Sequence, residues 1–223
     1  MSKNSDYYKE LLQLSYENDK TVRGIIRFSG LSEFFRHFVS ERVKDIRLER
    51  SKTFFDELQK KEIQLSEGVI KSEDFLHKFF ITFRAAINTR QREKIEMFAR
   101  LLNSSFENNP IEQVNIYEDY LNILDELSYR EIQALVLLDS FYTVPREDDE
   151  NNNQWVNKYW EEFKDKLQEK INIEEENIND FMIRLSRSGL YDTFSGEYYF
   201  GATKGKGMLT PTFEDMKSYI LDQ

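Results

Sequence analysis

The only imidazoles in the chain are His37 and His77. Glu33, His37 and Glu41 recur at i, i+4 and i+8, which sets them on one face of a helix, and Asp74 stands three residues before His77. Carboxylates and imidazoles at such spacings could hold a metal between helices, as Glu-x-x-His pairs do in carboxylate-bridged bundles. That chemistry needs two such pairs and two more carboxylates. The chain offers one imperfect pair, so no metal site is predicted, and each histidine is expected to bond a neighbouring carboxylate. The other candidate is "GATKGKG", residues 201–207. A phosphate-cradling loop of the G-x-x-x-x-G-K-[ST] type needs a hydroxyl after the lysine, but Gly207 follows Lys206. A dinucleotide fingerprint needs a third glycine after Gly205-x-Gly207, and "MLT" follows instead. Neither a nucleophile elbow nor an S-x-x-K motif occurs. No catalytic residue, no cofactor and no small-molecule substrate are therefore predicted.

Composition narrows the field further. The chain has no cysteine, which removes thiol catalysis, disulfides and cysteine metal sites. Charged residues make up 32% and aromatics 14%, while Gly (8) and Pro (3) are scarce, a balance that favours helices over many short strands. The longest aliphatic run, "ALVLL" at 134–138, is far too short to cross a bilayer, and the first twenty residues lack an apolar stretch of signal-peptide length. A cytoplasmic protein without membrane partners is expected. The net charge of -10 is unevenly spread: residues 1–110 carry 20 Lys and Arg against 17 Asp and Glu, and the remainder 11 against 24. The acidic C-terminal half repels phosphate backbones unless a local basic patch intervenes.

The elements that would position these residues read as mainly α. Residues 5–28 predict one or two short helices. Leu31, Phe34, Phe35, Phe38, Val39, Val43 and Ile46 then recur at helical steps, with Arg42 in the one polar slot, and the stripe resumes at Phe54, Phe55 and Leu58. This predicts one long helix or two in tandem. The intervening Arg42, Lys44, Arg47, Arg50 and Lys52 alternate with acids and are expected to form a solvated, salt-bridged face. Ser72 is a candidate N-cap, and the next helix presents Ile95, Phe98, Leu101, Leu102 and Phe106. "ENNP" at 107–110 breaks the pattern, giving a helical region over 1–107 and a second domain over 111–223. There, Tyr117 to Leu127 form an amphipathic helix, and Ser128 with Glu131 has capping-box spacing. An acidic helical insertion spans 143–172, with Trp155, Tyr159, Trp160, Phe163 and Leu167 on one helix face. A helix presenting Ile178, Phe181, Met182 and Leu185 stops at Gly189. "LYDTF" and "YYF" around Ser195-Gly196 predict a short β-hairpin, and Thr210-Pro211 opens the last helix.

The order from residue 116 onward resembles winged-helix domains, through Leu185, Gly189 and Leu190, then Tyr198 to Phe200, then Leu209, Thr210 and Pro211. The resemblance implies that "GATKGKG" is the mobile end of the wing, with its lysines in solvent, and that the helix before the wing could meet DNA. Arg184, Arg187, Lys204 and Lys206 are the candidate phosphate contacts, opposed by Glu174, Glu175, Glu176 and Asp180 at the leading end of that helix. Four cations suit backbone contact rather than base reading. A winged helix used for packing or protein docking is the favoured expectation, with a DNA-binding transcriptional regulator as the alternative.

The whole chain, through "TRQREKIEMFARLLNSSF", "YLNILDELSYREIQAL" and "RLSRSGL" before "LTP", resembles the bacterial abortive infection alpha group and related uncharacterised families, with Phe98, Ala99, Leu101 and Leu102 as the matching residues. That likeness implies a role in phage defence without a known catalytic site. The expectation is a non-enzymatic interaction or regulatory protein that works through protein contacts or self-association. Phe34, Phe38, Phe54, Phe55, Trp155 and Trp160 are its candidate interaction residues.

Overall fold

Helix caps and glycine stops in the sequence set where the elements begin and end. The computed structural model describes residues 33–60, 72–106, 114–194 and 205–221, and only the backbone of residues 33–41 and 114. The helices predicted within 5–28, the breaker at 107–110 and the strand "YYF" at 198–200 lie outside the described residues. The fold is mainly α with one short antiparallel hairpin, and the chain divides into two compact units, one ending at Tyr117 and the other starting at Glu118.

In the first unit, α1 (Glu33–Lys60) is one uninterrupted helix. α2 (Glu73–Asn88) opens on Ser72, whose hydroxyl accepts from the Phe75 N–H at 3.2 Å as the sequence predicts. α3 (Arg92–Ser104) follows, and the three helices pack on one another. Ile95, Phe98, Leu101 and Leu102 of α3 are buried, matching the predicted stripe, while Phe106 beyond its end is half-buried. Phe54 of α1 is fully buried with its ring edge-on to Phe83, 5.6 Å away, and Phe79 stacks on Phe83 at 5.7 Å.

In the basic run of α1, Arg42, Lys44 and Lys52 are exposed as predicted, but Arg47 and Arg50 depart from the predicted solvated state. Arg47 is buried, and Arg50 donates from Nη1 to the Ile87 carbonyl at 2.9 Å. The cause is tertiary: Ile87 lies in the last turn of α2, where carbonyls lack partners within the helix, and the Arg50 guanidinium supplies one. Two turns on, Glu57 accepts from Arg100 Nε of α3 at 2.7 Å and also pairs with Lys60. Burial would raise the Glu57 carboxyl, but the hydrogen bonds from Lys60 and Arg100 hold it below the usual carboxylate range.

α4 (Val114–Glu126) carries the chain into the second unit. α5 (Tyr129–Asp139) starts at the predicted capping box: the Ser128 hydroxyl accepts from the Glu131 N–H, and the Glu131 carboxylate accepts from the Ser128 N–H at 2.8 Å. A 3-10 helix (Ser140–Thr143) closes its end. The predicted single helix through Trp155 and Leu167 is instead two, α6 (Asn152–Asn157) and α7 (Trp160–Ile171). Tyr159 leaves helical torsions at the break (φ -125, ψ -4) and its ring stacks on Phe141, 5.4 Å away, with Trp155 edge-on at 5.4 Å. The aromatic packing of that corner overrides the helical period. α8 (Glu175–Leu185) buries Ile178, Phe181, Met182 and Leu185 as predicted, and a 3-10 turn ends at Gly189 with φ 73.

Strand β1 (Tyr191–Thr193) was foreseen, but its partner was not. It pairs antiparallel with β2 (Gly207–Leu209), Tyr191 opposite Leu209 and Thr193 opposite Gly207. The end of "GATKGKG" is therefore a packed strand and its approach. Gly205 holds φ 81 with its α-carbon face against the Asn179 backbone, where a β-carbon would sit 2.8 Å from the carbonyl oxygen. At Gly207 a β-carbon would lie 1.9 Å from the Asp192 carbonyl oxygen. Both glycines serve close backbone approach rather than phosphate contact. α9 (Pro211–Ile220) opens on Thr210, whose hydroxyl accepts from the Phe213 N–H at 3.3 Å and donates to the Gly189 carbonyl at 2.7 Å. The cap thereby ties the start of α9 to the glycine that ends the turn after α8.

Candidate functional site

Among the described residues, two of the sequence-selected cations line one cleft, and the other selected side chains are packed elsewhere. Lys204 lies outside the described residues, as do the side chains of Phe34, Phe38 and His37. Lys206, expected in solvent, is buried. Its ammonium donates to Asn157 Oδ1 at 2.5 Å and lies 5.9 Å from the centre of the Trp160 ring. Burial lowers its pKa, only partly offset by Glu161, so this lysine is a packed group of the second unit and not a phosphate contact. Trp155 and Trp160, chosen as an interaction face, are core residues at 5% and 3% exposure, because the corner at Tyr159 folds both inward. The Trp155 indole N–H donates to the Val144 carbonyl at 3.0 Å, which pins the acidic loop before α6. Phe54 is likewise core and Phe55 half-buried. Asp74 and His77 are exposed, and among the described residues no three His, Asp or Glu side chains gather where a metal could bind.

Arg184 and Arg187 do come together. With Arg130 they line an open cleft of about 700 Å³ on the second unit, alongside Asn172, Glu174, Asn177 and Asp180. A neighbouring recess of about 400 Å³ shares Arg184 and Arg187 and adds Glu126, Ser128, Glu131 and Ser188. α8 and its terminal 3-10 turn supply one wall, and the start of α5 the other.

Each cation is held differently. Arg184 donates from Nε to Glu131 Oε1 at 3.0 Å, and its guanidinium lies 5.3 Å from the Phe181 ring centre. Arg130 donates from Nη2 to the Asn172 carbonyl at 2.7 Å. Arg187 is exposed and makes no ion pair among the described residues. The carboxylate at the back is committed. Glu131 accepts from Ser128 through both its N–H and, at 2.7 Å, its hydroxyl, as well as from Arg184. Burial would raise its pKa, but the bonds from Ser128 and the Arg184 charge hold it below the usual carboxylate range. A carboxylate kept ionised and saturated with donors is a poor proton shuttle near neutral pH. The cleft thus offers binding groups: guanidinium forks, side-chain amides and acids, together with buried Ile173 and Phe181.

Sequence reasoning missed Arg130, Asn172 and Asn177. A signal did exist for Asn172, which takes the left-handed conformation (φ 56) at the end of α7, a position that Asn tolerates better than most residues. Its turned backbone is what presents the carbonyl to Arg130. No helix among the described residues is long and apolar enough to cross a membrane. No protein-family model matches the chain, and neither a curated protein nor a solved structure is found similar to it.

Proposed function

We propose that this is a non-enzymatic interaction protein whose C-terminal unit docks a protein partner in the arginine-lined cleft. The observation that carries the reading is the mixed charge around one recess: Arg130, Arg184 and Arg187 line it together with Glu174 and Asp180 and with buried Ile173 and Phe181. Opposite charges at set positions suit a partner with the complementary pattern, and acids interleaved with the arginines penalise a uniform polyanion. The winged-helix likeness of the chain from residue 116 onward supports the reading, since that fold serves docking as readily as nucleic-acid contact. The likeness to abortive infection families supports phage defence as the setting.

One observation favours the second reading, a DNA-binding regulator: three arginines share a single cleft. Against it stand the acids of the same walls, the burial of Lys206 and the acidic balance of the C-terminal half.

The chain has no cysteine, so an Arg187→Cys variant can carry a thiol-linked photo-cross-linker at one position only. Illuminated in the native host, it is expected to join a discrete protein, and adding Arg184→Glu is expected to abolish that product. Cross-links to nucleic acid, or a protein product indifferent to Arg184→Glu, would overturn the reading.

A further inference from the structure

We propose that the outer face of α2 is a self-association surface that pairs antiparallel with α2 of a second copy of this chain. The proposal stands on the first unit alone and is independent of the cleft. α2 buries Phe83, Ala86 and Ile87 against its neighbours, yet its other side is not the polar face a monomer would present. Phe80 is 54% exposed and Leu76 40%, one turn apart. Around them the exposed residues are Glu73, Asp74 and His77 toward the start of the helix and Arg84 toward its end.

The order of this strip is self-complementary. At about 100° per residue, Glu73, His77, Phe80 and Arg84 fall within one narrow stripe. Their spacing is symmetric about the midpoint between Lys78 and Phe79. Reversing a second copy over the first therefore sets Glu73 against Arg84 at both ends and Phe80 against Leu76 and His77 at the middle. Within one helix Glu73 and Arg84 are about 16 Å apart along the axis and cannot pair, and neither makes an ion pair among the described residues. An isologous contact satisfies both ends at once, which is the arrangement that two-fold symmetry requires. One strip on a helix of 16 residues buries less than the roughly 1,600 Å² of a standard interface. The dimer is accordingly a weak one, formed and broken with concentration.

Sedimentation equilibrium of the full chain over a concentration series tests this. A monomer–dimer equilibrium is expected, weakened about tenfold or more by Phe80→Asp and about threefold by Arg84→Glu. Both positions are exposed, and circular dichroism checks that the variants fold. The doubly reversed chain, Glu73→Lys with Arg84→Glu, restores the opposite-sign pairs between copies and is expected to dimerise like the wild type. A monomer at every concentration, a dimer insensitive to Phe80→Asp, or a doubly reversed chain no better than Arg84→Glu alone would each overturn the proposal.

Discussion

Gly207→Ala is expected to destabilise the C-terminal unit by about 3 kcal/mol, read as a lower midpoint in denaturant-induced unfolding followed by circular dichroism. The added methyl would sit 1.9 Å from the Asp192 carbonyl oxygen and 2.8 Å from the Thr193 α-carbon. Both are backbone atoms of the facing strand, so no side-chain rotation relieves the clash and the pair must part. That separation strains the Tyr191–Leu209 pairing, the Thr210 N–H to Leu190 carbonyl bond at 3.0 Å, and the packing of fully buried Tyr191. Gly189→Ala is the natural control. Nothing lies within 4 Å of its added carbon, and only the left-handed torsion (φ 73) is at stake, worth about 1 kcal/mol. Equal costs at the two positions would mean that close strand approach is not what requires Gly207.

The second large effect concerns the ion pair inside the first unit. Arg100→Ala is expected to cost about 2 kcal/mol, because it takes one of two cationic partners from the Glu57 carboxylate, whose side chain is only 5% exposed, and leaves Lys60 alone to hold it. The size of the loss reflects a buried charge left only partly compensated more than the worth of the pair itself. Removing both charges, as Glu57→Leu with Arg100→Met, is therefore expected to recover most of the stability. Thermal or denaturant unfolding of the single and double variants gives the answer. A double variant as unstable as Arg100→Ala would show that the pair is stabilising in its own right.

What the sequence disclosed followed the range of the interaction. Ser72, the Ser128–Glu131 box, Gly189 and Thr210-Pro211 were legible because a cap is made by residues within one turn of each other. The inward stripes of α3 and α8 were legible because burial repeats with the helical period. β2 was not: "GML" has no alternation of its own, and it is a strand because it pairs with Tyr191–Thr193, an approach that the Asp192 backbone permits only to a glycine at 207. Lys206 was misjudged for the same reason. A lysine between two glycines resembles a flexible tip, and only the fold brings Asn157 and Trp160 to it. The cleft was half legible. Arg184 and Arg187 stood out as cations on the helix before the hairpin, whereas Arg130 joins them from 54 residues upstream of Arg184 through the turn at Asn172.

The central claim is that the arginines of this cleft belong to a mixed-charge protein-docking surface. Its most direct test is a fluorescence titration of the whole chain against duplex DNA of random sequence, repeated across salt concentrations beginning at low salt. The account predicts no saturable binding at any salt. Saturable binding that weakens steeply with salt and disappears in an Arg184→Glu, Arg187→Glu variant would contradict it.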